Sequence, residues 1–235
     1  MPTILAIETS SELASAALLQ DGRMLMRESA GVHTHSQTIL PMVQGVLTEA
    51  GVALTQCDAI AFGCGPGSFT GVRTACGIAQ GLAFGASLPV IPVVTLLAMA
   101  EACREAGDSR DVLAVLDARM GEVYWAQYRF QDEQTGWQAV AEPTLSAASA
   151  VQADGRVIAC GNGLSAYADD FARFDFADSA LPMIMPRAAQ VAWLAQAAFA
   201  RGEILSARDA QPLYLRNKVA LTTAERMANA AGVAA

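Results

Sequence analysis

The predicted elements of this chain pass through one order twice, and this repeat restricts the fold more than any other feature. Three strand-like apolar runs, a helix, a strand and a helix occupy residues 3–86, and a further strand and helix extend to residue 106. The order strand, strand, strand, helix, strand, helix then begins again at residue 111. Duplication of such a unit predicts an α/β chain with two lobes, each a mixed sheet flanked by helices. The boundary falls near residues 107–109 and divides the chain into domains 1–107 and 108–235.

Apolar periodicity and turn residues place the individual elements. Apolar runs predict strands at residues 3–7, 15–19, 23–27, 59–64, 90–94, 111–116, 122–130, 137–145 and 156–160. Apolar residues three and four apart predict helices at residues 36–50, from 68 or 70 to 86, at 96–106 and 164–174, and after Pro186. Asp21-Gly22 is typical of a hairpin turn, and Ser36 of a helix N-cap.

Composition argues against several classes of protein. The 235 residues are 53% hydrophobic and 16% charged, which argues against disorder. A net charge of −8 argues against a chain that binds nucleic acid on its own. The single lysine, Lys218, follows no glycine-rich loop, so a Walker-A phosphate loop is excluded. The two histidines, His33 and His35, cannot build an HExxH site, and as a pair they fit a solvated loop better than a metal site.

Cysteine usage and the apolar stretches indicate a compartment. The five cysteines are odd in number and form no CxxC pair, so we expect reduced thiols in a cytoplasmic protein. No basic segment precedes Glu8, which argues against a signal peptide. Residues 74–100 carry no charge, but Pro89 and Pro92 divide them, and we therefore expect no membrane span.

Polar motifs follow strands in both halves, and each allows two interpretations. Residues 7–11, Ile-Glu-Thr-Ser-Ser, fit a phosphate-binding turn whose acid orients a metal-bound water, or a capped strand end. Residues 65–71, Gly-Pro-Gly-Ser-Phe-Thr-Gly, fit an anion site at a helix N-terminus, or a tight strand-to-helix turn. Glu8 and Asp117 each end the first strand of a half, so we expect both acids to face a cleft between the lobes.

The helix at residues 70–86 is rich in glycine and alanine and is apolar on more than one face. A soluble helix of this kind usually has a partner on each face, so one face is expected to meet another protein. The helix at residues 36–50 supplies a neighbouring apolar ridge. The residues predicted to form this interface are Ile39, Val43, Val46, Leu47, Val72, Arg73, Cys76, Ala79, Gln80 and Ala83.

Four segments carry a resemblance to a known family: residues 4–10 (ILAIETS), 65–73 (GPGSFTGVR), 116–124 (LDARMGEVY) and 212–216 (PLYLR). They resemble the TsaB family of the actin-like (ASKHA) ATPase superfamily, over residues 3–226. The resemblance implies duplicated actin-like, ribonuclease H-like lobes. It also implies a protein of bacterial tRNA threonylcarbamoyladenosine modification that docks on its catalytic paralogue TsaD, with the small ATPase TsaE as third partner. Contact with tRNA would occur only through the complex, and a homodimer is expected in isolation.

The same resemblance implies that the chemistry is lost. TsaD carries a His-x-x-x-His metal motif after the strand that matches residues 90–94, and Thr95 and Met99 stand at those positions here. Neither is a competent ligand for a hard divalent metal. We therefore expect a pseudo-enzyme with no catalytic residue, no metal site and no certain cofactor.

A vestigial nucleotide cleft would hold ATP or ADP weakly, or only at the interface of the complex. Its residues would be Glu8, Thr9, Ser10, Asp117, Gly161 and Gly163. The main alternative is an autonomous actin-like ATPase or phosphotransferase that uses Glu8 and Asp117 around a metal–nucleotide. A further alternative is a peptidase, although no acid-oriented Ser-His or Cys-His pair can be assigned.

Overall fold

The first lobe is built on a five-stranded mixed sheet. In this computed structural model, which describes residues 1–30, 35–107 and 109–216, its strands are β1 (Ile4–Glu8), β2 (Leu13–Gln20), β3 (Arg23–Ala30), β4 (Ala59–Gly65) and β5 (Val90–Val94). The strand order is β3-β2-β1-β4-β5, with β1, β2 and β3 antiparallel and β4 and β5 parallel to β1. Asp21 and Gly22, both with positive φ, form the predicted turn between β2 and β3.

The second lobe repeats four of these five strand positions. Its strands are β6 (Asp111–Arg119), β7 (Glu122–Phe130), β8 (Trp137–Ala147) and β9 (Ile158–Cys160), in the order β8-β7-β6-β9. β6, β7 and β8 form an antiparallel meander, and β9 lies parallel to β6, as β4 lies beside β1. The predicted α/β fold with two duplicated mixed sheets is confirmed.

The first sheet is covered on its two faces by α1 (His35–Ala50), α2 (Phe69–Ala86), α3 (Thr95–Gly107) and α6 (Ala188–Ala200). Two short helices, α4 (Gly163–Ala166) and α5 (Ala168–Phe171), pack in the second lobe. Because successive residues of a strand point to opposite faces, Leu5 and Ile7 pack under α1 and α2, whereas Ile4 and Ala6 pack under α6. α3 joins the lobes by packing on β4 and β5 of the first sheet and on β6 and β9 of the second.

The structure differs from the predicted elements at several places. The first helix of the second repeat is reduced to a single 3₁₀ turn at Ala148–Ala150. The helix predicted at residues 164–174 is broken into α4 and α5, because Tyr167 leaves the helical conformation (φ −130°, ψ 45°). Ser36 lies inside α1 and is therefore not its N-cap, and β6 continues past Asp117.

The last helix also lies elsewhere than its position in the chain suggested. The sequence assigned α6 to the second lobe, but α6 packs on the first sheet, where Val191 and Ala195 join the same core cluster as Ile4.

Asp108, at the predicted domain boundary, lies outside the described residues, and the boundary itself stays a prediction. The uncharged stretch 74–100 forms parts of α2, β5 and α3, and within the described residues no helix has the length and apolarity needed to cross a membrane.

Candidate functional site

A cleft of about 520 Å³ lies between the two lobes. Its first-lobe wall consists of the residues after β1 and the N-terminal turn of α2: Ser10, Ser11, Glu12, His35, Pro66, Gly67, Ser68, Phe69 and Val72. Its second-lobe wall consists of the end of β6 and neighbouring residues: Leu116, Asp117, Ala118, Arg119, Met120, Tyr124 and Asn162. Residues 213–216 complete the lining.

Glu8 does not face this cleft, and that expectation is wrong. Its side chain is fully buried; Oε1 accepts a hydrogen bond from the Ser10 N–H (2.5 Å), and among the described residues Oε2 has no partner. Gly63 on β4 leaves the space for the carboxyl group, since a Cβ there would overlap Oε2. Desolvation raises the pKa of Glu8, and the hydrogen bonds from Ser10 and Thr9 oppose that rise. The carboxyl group is therefore not placed to orient a metal-bound water in the cleft.

We expect the burial of Glu8 to make stability depend on pH. The pKa of Glu8 in the folded chain lies above its ordinary value of 4.5, so between these two values the folded state holds the proton that the unfolded state has lost. Raising the pH through this window therefore lowers the free energy of unfolding. Glu8→Gln, which cannot ionise, should remove this part of the pH dependence in urea unfolding measured from pH 4 to pH 8. Parallel curves for the two proteins across that range would contradict the assignment.

Thr9 and Ser10 bind the start of α2, and their role in phosphate binding stays a prediction. The Thr9 hydroxyl donates to the carbonyl of Gly71 (2.7 Å), and the Ser10 carbonyl accepts from the Ser68 N–H (2.7 Å). A Cβ at Gly71 would overlap the Thr9 carbonyl oxygen, so glycine is required for this close approach. Ser68 caps α2, and its Oγ accepts from the Gly71 N–H (3.4 Å). Of the two interpretations of these motifs, the contacts favour a strand end packed on a tight strand-to-helix turn.

Asp117 does line the cleft, and groups of its own lobe surround its carboxylate. Oδ1 accepts from the Arg119 N–H (2.7 Å) and from the Tyr167 hydroxyl (3.0 Å), and Oδ2 pairs with the Arg119 guanidinium (3.0 Å). The Asp117 N–H donates to Asn162 Oδ1 (3.0 Å), and Asn162 also donates across the cleft to Glu12 (3.2 Å). Asp117 therefore orders the end of β6 and the lobe contact beside it.

Gly161 and Gly163 serve close packing of the turn after β9. Gly161 has φ +109°, and a Cβ there would overlap the Val115 carbonyl oxygen and the Met99 methyl group. A Cβ at Gly163 would lie 3.2 Å from the backbone nitrogen of Asp117. These contacts explain both glycines without a ligand, and their role in nucleotide binding stays a prediction.

Thr95 and Met99, the positions that match the TsaD metal motif, are both fully buried. Thr95 Oγ1 accepts from the Gly65 N–H (3.1 Å) and donates to Ser10 Oγ (3.2 Å), while Met99 packs in the core between α3 and the second sheet. His35 Nδ1 donates to the Thr9 carbonyl (3.1 Å), and His33 lies outside the described residues. Within the described part of the chain, no three His, Cys, Asp or Glu residues are grouped to hold a metal ion.

The structure corrects which face of α2 is free. Seven of the ten residues predicted for the interface fill the core of the first lobe, so the prediction that they meet a partner is wrong: Ile39, Val43, Val46, Val72, Cys76, Ala79 and Ala83. Leu47 is partly buried against the same core. Among the described residues, the exposed face of α2 instead carries Gly77, Gly81 and Gly85, where a Cβ would meet no other atom within 4 Å. Phe84 beside them is 83% exposed.

The two polar residues of the predicted interface are held by a C-terminal segment, residues 210–216, which we call the strap. Gln80 Nε2 donates to the Ala210 carbonyl (3.0 Å), and Arg73 Nε donates to the Tyr214 hydroxyl (2.7 Å). The Arg73 guanidinium also stacks on the Phe69 ring, 3.5 Å from its centroid. Tyr214 was not among the predicted interface residues, although Leu213 and Leu215 alternate with polar neighbours, a pattern typical of an extended segment with one buried side.

Comparisons with known proteins decide the family. A model described as TsaD: tRNA N6-adenosine threonylcarbamoyltransferase matches residues 28–235. The tRNA threonylcarbamoyladenosine biosynthesis protein TsaB of Escherichia coli (strain K12) is 42% identical over 222 residues, which cover 92% of this chain and 96% of that protein. The chain belongs to the TsaB family. Another TsaB, from Haemophilus influenzae, is 39% identical over 226 residues, which cover 92% of this chain and 94% of that protein.

Solved structures agree with membership of the TsaB family. YeaZ from Pseudomonas aeruginosa is 40% identical, with a TM-score of 0.83 over 92% of this chain and 100% of that chain. A second Pseudomonas aeruginosa structure, described as an uncharacterized protein with similarity to peptidase YEAZ, is 39% identical with a TM-score of 0.85 and the same coverage. Together with the family model, these likenesses confirm the actin-like fold that the sequence motifs implied.

Proposed function

We propose that this TsaB family member is a non-catalytic partner subunit of TsaD in the formation of threonylcarbamoyladenosine in tRNA, with TsaE as a third partner, in the cytoplasm. The names of the curated relatives support the pathway, because they are tRNA threonylcarbamoyladenosine biosynthesis proteins over nearly the whole length of this chain. The non-catalytic role rests on one observation at the positions that match the TsaD metal motif. Thr95 and Met99 are fully buried, Thr95 in hydrogen bonds and Met99 in the core.

The cleft fits a metal–nucleotide poorly, which supports a subunit without ATPase activity of its own. Glu8 is fully buried and does not line the cleft, and the glycines after β9 are packed against β6. Of the arginines in the cleft lining, Arg119 is paired with Asp117 and Arg216 with Glu122. A triphosphate would need to break these pairs before gaining a cationic contact.

The exposed face of α2 supports the partner role. Gly77, Gly81 and Gly85 lie four residues apart on one side of the helix, so the backbone of another helix could approach α2 closely. Phe84 and Leu40, which are 83% and 47% exposed, supply apolar area on α2 and on the adjacent α1. Because the paralogue is expected to present similar helices, the same face would also pair with itself when TsaD is absent.

The experiment that tests the proposal compares the purified chain alone with the chain plus TsaD, TsaE, ATP, tRNA and the threonylcarbamoyl donor. We expect no appreciable ATP turnover and no tRNA modification by the chain alone. We also expect modification by the mixture to stop when the chain is left out. Turnover by the isolated chain at about 1 s⁻¹ or faster, in the range of ordinary enzymes, would overturn the proposal in favour of the autonomous ATPase.

A further inference from the structure

The strap, residues 210–216, touches both lobes, and we propose that it is a clasp that fixes the angle between them. At its first-lobe end, Ala210 is buried in the core under α2, and the Leu213 N–H donates to the Cys64 carbonyl at the end of β4 (2.7 Å). Tyr214 is held by Arg73 and lies 6.2 Å from the Phe69 ring. This end of the strap is therefore fixed to β4 and to α2.

At its other end the strap is fixed to the second lobe. The Arg216 guanidinium pairs with the Glu122 carboxylate at the start of β7, and its other terminal nitrogen lies 3.8 Å from the sulfur of Met120. The Arg216 side chain is only 15% exposed. The Glu122 side chain is 38% exposed, so the pair is partly buried and is screened less by salt than a fully exposed pair.

Two leucines of the strap pack into different lobes. Leu213 packs against the core of the first lobe, and Leu215 packs against the core cluster that includes Leu116, Tyr124 and Tyr128 of the second sheet. An opening of the cleft must therefore withdraw one leucine from its core or break the Arg216–Glu122 pair. Each of these changes costs free energy, so each opposes motion of the lobes. Without the strap, α3 and the Asn162–Glu12 hydrogen bond would restrain that motion less.

The first test measures the lobes directly in the isolated full-length chain. Spin labels at Thr48→Cys on α1 and Ser165→Cys on α4 occupy exposed sites of the two lobes, and the five native cysteines are buried. Double electron–electron resonance should give a narrow distribution of label-to-label distances for the otherwise unchanged chain. The distribution should be broader for Arg216→Ala or Glu122→Gln. The amide hydrogen of Leu213 should exchange about tenfold faster in Arg216→Ala.

Arg201→Ala is the matched control, because Arg201 also pairs with a carboxylate, Glu203, but within one surface turn. It should leave both the distance distribution and the Leu213 exchange rate unchanged. If Arg216→Ala and Glu122→Gln behave as Arg201→Ala does, the strap is not a clasp. This test needs no partner protein, so its result is independent of the proposed function.

A second test asks whether the two ends of the strap act as one unit. Arg73→Ala removes the hydrogen bond by which α2 holds Tyr214, and residue 73 lies far from Arg216 in the sequence. If the strap opens as a single clasp, Arg73→Ala should also accelerate exchange at Leu213 and should broaden the distance distribution between the lobes as Arg216→Ala does. The Arg73→Ala/Arg216→Ala double variant should then exchange at about the product of the two single effects, because both contacts stabilise the same closed state. An unchanged distance distribution in Arg73→Ala would show two independent contacts and would overturn the proposal.

Discussion

Replacing Gly71 by alanine is expected to destabilise the folded chain by roughly 3 kcal/mol or more. A Cβ at this position would overlap the carbonyl oxygen of Thr9, and its second neighbour is the carbonyl carbon of the same residue at 3.0 Å. Both are backbone atoms, and Thr9 is fixed because its own hydroxyl donates to the Gly71 carbonyl. The turn after β1 and the first turn of α2 would have to separate to admit the methyl group.

Gly77→Ala is the matched control in the same helix. No atom of the described residues lies within 4 Å of a Cβ built at Gly77, so in the monomer the methyl group meets none of them. Alanine in place of an exposed mid-helix glycine should raise the free energy of unfolding by about 0.5–1 kcal/mol. Urea unfolding of the two variants and of the parent chain tests whether Gly71→Ala lowers the free energy of unfolding and Gly77→Ala raises it. A loss at Gly71 no larger than a few tenths of a kcal/mol would mean that the Thr9 turn moves aside freely.

The sequence predicted most of the strands because their signals are local. β5 and β7 begin and end at the predicted residues, since an apolar run and a neighbouring turn bound each of them. The helix α2 was also predicted, but its orientation was not. Apolar and small residues lie on every side of α2, so periodicity does not distinguish the buried Cys76 and Ala79 from the exposed Gly77 and Gly81.

The features that the sequence did not predict depend on contacts between distant residues. Tyr167 breaks the helix predicted at residues 164–174, and its hydroxyl donates to Asp117, 50 positions earlier. Arg73 and Tyr214, which join α2 to the strap, are 141 positions apart. Glu8 resembles its counterpart Asp117 in sequence, but the former is buried in the sheet and the latter lines the cleft. Neighbouring strands decide this difference, because Gly63 on β4 opens the space that receives the Glu8 carboxyl group.

Bulk on the exposed face of α2 is expected to weaken assembly strongly, and the structure changes which residue should carry it. Cys76 and Ala79 point into the first core, at 4% and 0% exposure, so tryptophan there would unfold the lobe and report nothing about a partner. Gly81 lies on the exposed face, where a Cβ meets no atom within 4 Å in the part of the chain that the structure describes. Gly81→Trp should therefore leave the fold intact, with a melting temperature close to that of the parent chain.

If a partner helix packs along Gly77 and Gly81, an indole at residue 81 must push it away from the α2 backbone. Overpacking of a close contact costs about 1–3 kcal/mol, so the affinity for TsaD should fall roughly 10- to 100-fold, measured by calorimetry. For the same reason, the homodimer expected in isolation should dissociate, as measured by light scattering.

Ala197→Trp, on the exposed side of α6, is the control. It places equal bulk on another helix of the same lobe and should change neither association. Unchanged TsaD binding and an unchanged dimer in Gly81→Trp would show that this face of α2 is not the interface. The partner role would then lose its structural support, although the buried Thr95 and Met99 would still argue against catalysis by this chain.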